Sequence, residues 1–440
     1  MTQLERRIGV PGAIAIGMGA MIGAGLFFVW APAAALAGPM LPAAIALAGA
    51  IAVLNALSTA QLAMEHPVSG GAYAYGRAEV GERVGFTAGW MFLTGKTASA
   101  AAIAVIAGQH LWPEHAHAVA AVAVAALALL NMLGVRVTAW VSSGIVAIVL
   151  VVVVIALVWA ATGGPTAETV GWLAYAPLSQ AALPDGDFGF VGGSAGAPAG
   201  GGPLGWLTAA GMLFFAFAGY ARMATLGEEV RQPRRTLPIA IVLGLGVVLA
   251  LYAAVGWATS ARLGALLPAS ATPVADLVAH PVLHAVVLGA GALACLGSLM
   301  GILAGLSRTG LAMARNRDLP GPLSTVARRT RTPVVAEATT AIAAMAAALL
   351  LPAGGLVAFS STCVLTYYAV AHISAIRMRR GSRAGTRGAG AVRMWLPGWL
   401  PWIGVVACLG VVLTLPWQGV VGAAAWLALG LGARELAQRR

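Results

Sequence analysis

The stretch Gly17-Met-Gly-Ala-Met-Ile-Gly-Ala-Gly25 puts four glycines into nine residues, inside an apolar run from about Val10 to Leu36. Any chemistry there belongs to the backbone. Each glycine costs a helix about 1 kcal/mol relative to alanine, and glycine lets the chain leave helical geometry or approach a neighbour closely. One reading is a packing face of small residues between helices. The other is a helix break whose free N–H and C=O groups face a polar ligand at mid-membrane. A second interruption of the same kind is Phe214-Phe-Ala-Phe-Ala-Gly-Tyr220, with Gly219 in the middle of an apolar run. Lys96, in Gly95-Lys-Thr-Ala-Ser99, is the only lysine; the other 25 basic side chains are arginine. It lies about twelve residues into its run, roughly 18 Å at 1.5 Å per residue. A charge at that depth costs about 2.5–3.5 kcal/mol on insertion scales. A buried lysine readily gives up its proton. Lys96 is therefore a candidate for carrying a coupling proton or for filling a cation's place, against the plainer role of a static hydrogen bond to a broken-helix carbonyl. Ser298, beside Gly297, is a candidate cation ligand, against the usual bond of such a serine to its own helix.

These residues need elements to hold them, and composition says which. The chain has 440 residues, of which 60% are hydrophobic and 9% charged, with a mean hydropathy of +0.88. That is an all-α polytopic membrane protein. Apolar runs of spanning length fall near 10–36, 40–64, 84–109, 116–133, 138–162, 204–227, 236–260, 281–314, 333–352, 355–377, 395–415 and 417–434, about twelve in all. The N-terminal Leu4-Glu5-Arg6-Arg7 leads into a run too long for a cleaved signal, so it reads as the first span. The net charge of +12 comes from arginine in alternate loops and implies no nucleic-acid partner. Arg6 and Arg7, Arg77 and Arg83, Arg136, Arg231 to Arg235, Arg315 to Arg331, Arg377 to Arg393, and Arg434, Arg439 and Arg440 all fall on one side, and Arg262 alone on the other. By the positive-inside rule both termini are cytoplasmic. The loop His66-Pro-Val-Ser-Gly-Gly-Ala-Tyr-Ala-Tyr75 is expected at the interface, with its tyrosines at headgroup level. Asp185 and Asp187 read as solvated residues of a long external loop, 163–203, and 378–394 as a basic cytoplasmic linker suited to anionic lipid.

Cys295, Cys363 and Cys408 show no metal-ligand spacing, and the seven histidines and the acids form neither an HExxH motif nor a paired-carboxylate site. No enzyme, metal or cofactor is expected. Spans 1 and 6 each open a block of five, 10–162 and 204–377. Five is odd, so the blocks are inverted relative to each other, and matched interruptions in inverted blocks point to a transporter's binding site.

The motifs also carry a resemblance. Gly19-Ala-Met-Ile-Gly-Ala-Gly-Leu-Phe27, Pro67-Val-Ser-Gly-Gly-Ala-Tyr73, Phe215-Ala-Phe-Ala-Gly-Tyr220 with Gly227-Glu-Glu-Val-Arg-Gln-Pro-Arg-Arg-Thr-Leu-Pro238, and Met313-Ala-Arg-Asn-Arg-Asp-Leu-Pro320 follow one another in order. Together they resemble the amino acid–polyamine–organocation transporter superfamily. The resemblance implies a leucine-transporter-type 5+5 inverted repeat with helices 1 and 6 broken and two C-terminal helices added. The domains are then 1–162 (helices 1–5), the external loop 163–203, 204–377 (helices 6–10), the linker 378–394, and 395–440 (helices 11 and 12). It implies transport of an amino acid or related amine across the plasma membrane, coupled to protons or run as exchange, with sodium coupling and oligomeric state left open. Carried over by motif, Ile22, Gly23, Ala24 and Gly25 hold the substrate carboxylate. Phe215, Ala216, Phe217, Ala218 and Gly219 match the sixth-helix break, where carbonyls receive the ammonium and Phe215 covers the site. Many relatives have an acidic residue where Ala221 stands, followed here by Arg222. That departure favours a neutral, apolar amino acid over organic amines or cationic amino acids. A non-transporting sensor or subunit of the same fold is the alternative class.

Overall fold

The structure is a computed structural model that describes residues 6–166, 202–383 and 396–438. Asp185, Asp187, Arg387, Arg393, Arg439 and Arg440 lie outside the described residues. Among the described residues the chain is helical, and its one β-type contact is an isolated parallel bridge between Ile8 and Val230. The first apolar run forms three pieces, α1 (Val10–Met21), α2 (Ala24–Phe28) and α3 (Trp30–Ala37). They are followed by α4 (Leu41–Glu65), the short α5 (Ala72–Glu79), α6 (Glu82–Leu111), α7 (Ala116–Met132) and α8 (Val135–Ala161). Next among the described residues come α9 (Gly205–Phe217), a 3-10 turn at Ala218–Tyr220, and α10 (Ala221–Ala224). The rest is α11 (Pro233–Leu263), α12 (Pro281–Arg315), α13 (Val334–Leu350), α14 (Ala353–Arg383), α15 (Leu400–Val412) and α16 (Trp417–Gln438).

Among the described residues eight helical segments are long and apolar enough to cross a membrane, and four further apolar helices are shorter, at 10–17 residues. The protein is a multi-pass membrane protein. Its periphery carries Trp140, Val151, Leu243, Trp257 and Leu413, all exposed, as suits a surface whose solvent is hydrocarbon. The interior is built on α6, which packs against α14, α12, α7 and α5, while α1 packs against α11, α8 and α12. Many buried residues of these helices are alanine, and glycines such as Gly76, Gly95 and Gly301 pack closely on neighbours; small side chains let helices approach closely where hydrophobic association gives no net drive.

The helices stop and start for local reasons. Pro11, Pro42, Pro233 and Pro281 sit in first turns, where the missing N–H has no intrahelical use. α1 ends because Ile22 (φ −85°, ψ 85°) and Gly23 (φ −146°, ψ −145°) leave helical dihedrals. The sixth span behaves differently from the sequence expectation of an open break. It stays helical and tightens into one 3-10 turn, with Phe217 and Tyr220 both in right-handed dihedrals. A 3-10 turn inside an α-helix shifts the hydrogen-bond register without unwinding the chain.

The loop after α4 corrects a second expectation. Tyr73 and Tyr75 are both buried within the protein rather than presented at its surface. The Tyr73 hydroxyl donates to Asp318 at 2.7 Å. Arg77 Nη1 (3.1 Å) and Arg434 Nε (2.7 Å) donate to the same carboxylate. Asp318 thus clasps α5, the segment after α12 and the C-terminal helix α16. Burial and the hydrogen bond to Asp318 push the Tyr73 hydroxyl above the usual phenol range. Removing one partner from a buried pair costs about 3–5 kcal/mol, whereas an exposed pair contributes about 0–1 kcal/mol. Asp318→Ala is therefore expected to lower the detergent melting midpoint clearly. Glu435→Ala, which breaks only the exposed pair with Arg83, is expected to leave it nearly unchanged. Thermal unfolding of both variants checks this.

Candidate functional site

The gap in the first span lies against the 3-10 turn of the sixth. Gly219 packs so tightly on the end of α1 that a Cβ there would lie 2.6 Å from the Met21 nitrogen and against the Ala20 carbonyl. Gly25 abuts Ala216, and a Cβ on it would lie 2.7 Å from the Tyr252 hydroxyl. Gly23 abuts Ser298, with 2.8 Å from its would-be Cβ to the serine oxygen. These glycines bring the first span, the sixth span, α11 and α12 within reach of one another. The glycine-rich stretch thus both leaves helical geometry at Ile22 and Gly23 and packs closely against its neighbours.

The interrupted backbone finds polar partners on other helices. The Tyr252 hydroxyl donates to the Met21 carbonyl at 3.0 Å. Ser298 Oγ donates to the Ala20 carbonyl at 3.1 Å rather than to its own helix. Lys96 is buried, and its Nζ donates to the Ala218 carbonyl at 3.3 Å. The Tyr368 hydroxyl reaches the same oxygen at 3.3 Å. At the start of α2 the first N–H groups have no intrahelical acceptor, and the helix dipole there favours negative charge.

A small cavity lies between these elements. Of the residues singled out in the sequence, Gly23, Gly25, Phe215, Ala216, Gly219, Lys96 and Ser298 line it, together with Ala20, Met21, Ser99, Ile103 and Ile302. Ile22 is buried and its N–H bonds Met18. Ala24 is the first residue of α2. Phe217 turns away to pack on Tyr252, ring centroids 4.6 Å apart, and Ala218 contributes its carbonyl through Lys96 and Tyr368. Sequence reasoning missed Tyr252, Tyr368 and Ser99. A tyrosine deep in an apolar run was the available signal for the first two.

It also missed the partners of Arg222, which are all buried. Arg308 Nη2 lies 2.9 Å from Glu229 and its Nη1 3.5 Å from Glu337. Arg222 Nη2 is 3.9 Å from Glu229, and its Nη1 donates to Thr225 at 2.7 Å. Asn131 Nδ2 donates to Glu337 at 2.9 Å. Two arginines and two glutamates cancel, which is how buried charge is made tolerable. Beside this network the N–H groups of Arg7 and Ile8 bond the Glu229 carbonyl, and Arg231 bonds back to Ile8. The N-terminal segment is thereby stitched across that end of the bundle.

A multi-pass helical bundle that brings two interrupted spans to one internal cavity has the build of a membrane transporter. A family model described as amino acid permease matches residues 12–425. An uncharacterized transporter of Mycobacterium tuberculosis is 41% identical over 446 residues, covering 100% of this chain and 93% of its own length. A branched-chain amino acid permease of Bacillus subtilis is 27% identical over 469 residues, 97% of this chain and 92% of its own. A vacuolar cationic amino acid transporter of Arabidopsis thaliana is 31% identical over 407 residues, 86% of this chain and 60% of its own. The chain belongs to the amino acid permease family, whose members are transporters and not enzymes.

The packing around the break makes two substitutions informative. Gly25→Leu must displace Ala216 and Tyr252, and Gly219→Ala must push the sixth span off the end of α1. Both variants are expected to insert in the membrane and to lose amino-acid binding by at least tenfold, measured as ligand-induced thermal stabilisation. Normal binding in either would place the site elsewhere.

Proposed function

We propose that the protein is a plasma-membrane secondary transporter that moves a neutral, apolar amino acid by alternating access, coupled to a proton or to exchange. The supporting fold reading is the 5+5 inverted repeat, with the first and sixth spans at equivalent places in the two halves and both termini cytoplasmic by arginine placement. The substrate carboxylate sits at the N–H groups of Gly23, Ala24 and Gly25. Phe215, Ala216, Phe217, Ala218 and Gly219 form the facing wall. The observation that carries the substrate class is the cavity lining: small and apolar residues, two hydroxyls, one amine and no carboxylate. A neutral amino acid brings its own balanced charges, whereas a dibasic one needs an anion that the lining does not supply. The name of the Bacillus relative agrees with this reading. The names of the Arabidopsis relatives favour a cationic substrate, with the lining against it.

Lys96 and Ser298 are the coupling candidates. Lys96 holds a sixth-helix carbonyl and Ser298 a first-helix carbonyl, so a change of protonation at Lys96 is felt directly at the break. In proteoliposomes Lys96→Met is expected to lose proton-gradient-driven accumulation while retaining exchange; accumulation with the parent's pH profile would remove Lys96 from the coupling step. Substrate class is tested on purified protein by thermal shift across the twenty amino acids, since a ligand stabilises the state it binds. Leucine, isoleucine, valine, methionine, alanine or phenylalanine is expected to stabilise it, and arginine and putrescine are not. Strong stabilisation by arginine would overturn the neutral-substrate reading.

A further inference from the structure

We propose that Lys96 is the specificity-determining residue of the cavity: while protonated, its amine excludes substrates carrying any positive charge beyond one α-ammonium. The proposal rests on reading this cavity as the amino-acid site. Lys96 lines the cavity on the same face of α6 as Ser99 and Ile103, opposite Gly23, Gly25 and Phe215. Its amine does not leave for solvent: the residue is 5% exposed, and Nζ is held on the Ala218 carbonyl at 3.3 Å.

That carbonyl is already fully used. A carbonyl oxygen has two lone pairs, and Ala218 receives Lys96 on one side and Tyr368 on the other. A second ammonium or a guanidinium entering the cavity finds this acceptor taken, by a group of its own charge.

No carboxylate stands by to offset it. No lining residue is acidic. The buried acids Glu229 and Glu337 are paired with other residues, Glu229 with Arg308 and Arg222, and Glu337 with Asn131 and Arg308. A like charge within about 6 Å, at an effective dielectric of about 20, weakens binding about a hundredfold. This is selection by repulsion: the unwanted ligand is refused rather than the wanted one held more tightly. The sieve acts through the protonated amine. Lysine suits the task as a compact point charge on a flexible stem, whereas arginine presents a planar fork of donors that one carbonyl does not satisfy.

The test reads the ratio of arginine to leucine affinity on the purified full chain in detergent, with no gradient present, by thermal shift and by competition. Parent and Lys96→Arg, which keeps the charge, are expected to favour leucine strongly. Lys96→Met is expected to raise the arginine-to-leucine ratio at least tenfold, and Lys96→Glu to raise it further. Lys96→Gln removes the charge yet leaves a donor for the Ala218 carbonyl; it replaces the methionine variant should that one fail to fold, with the same gain expected. A charge-free variant that binds leucine and still refuses arginine overturns the sieve while leaving the site reading intact. A parent that responds to none of the twenty amino acids overturns the site reading, and the sieve with it.

Discussion

A broken helix inside a membrane leaves carbonyl and amide groups with no water to satisfy them, and everything at the centre of this protein follows from that constraint. The carbonyls of Ala20 and Met21 at the end of α1, and of Ala218 in the 3-10 turn, are each met by a side chain from another helix. Ser298, Tyr252, Tyr368 and Lys96 are those side chains. The carbonyl ends of the interruptions are thus tied off by protein, and Gly23 and Gly25 beyond the first of them line the cavity. On the proposed reading, the first span receives the substrate carboxylate and Lys96 tunes the sixth-span side.

The same accounting governs the buried charges. Arg222 and Arg308 are matched by Glu229 and Glu337, with Asn131 and Thr225 filling further bonds. The cavity itself has no acidic lining residue. The N-terminal segment, joined to Glu229 and Arg231 through its backbone, closes the structure over that end.

Much of this was legible in the chain. The membrane class follows from the apolar runs, and the break at Ile22–Gly23 from the clustered glycines, because backbone freedom and hydropathy are local properties. The sixth span was only half legible: Gly219 marks the place, but whether a helix opens or tightens depends on what packs against it, here the Ala20 carbonyl. The lone lysine stood out, and its acceptor did not. Partners far apart in sequence were out of reach. Glu337 lies 206 residues from Asn131, and Arg308 lies 79 from Glu229, so the sequence left the role of Arg222 open. The burial of Tyr73 was missed because its partner Asp318 lies 245 residues on.

The central claim is that the first-span break binds the substrate carboxylate. A structure of the protein in lipid nanodiscs, determined with a saturating neutral amino acid, tests it most directly. The account requires ligand density in the cavity between the two interruptions, its carboxylate within hydrogen-bond distance of the Gly23 to Gly25 amides. Density for the carboxylate on Lys96 and away from those amides, or a ligand bound outside this cavity, would contradict it.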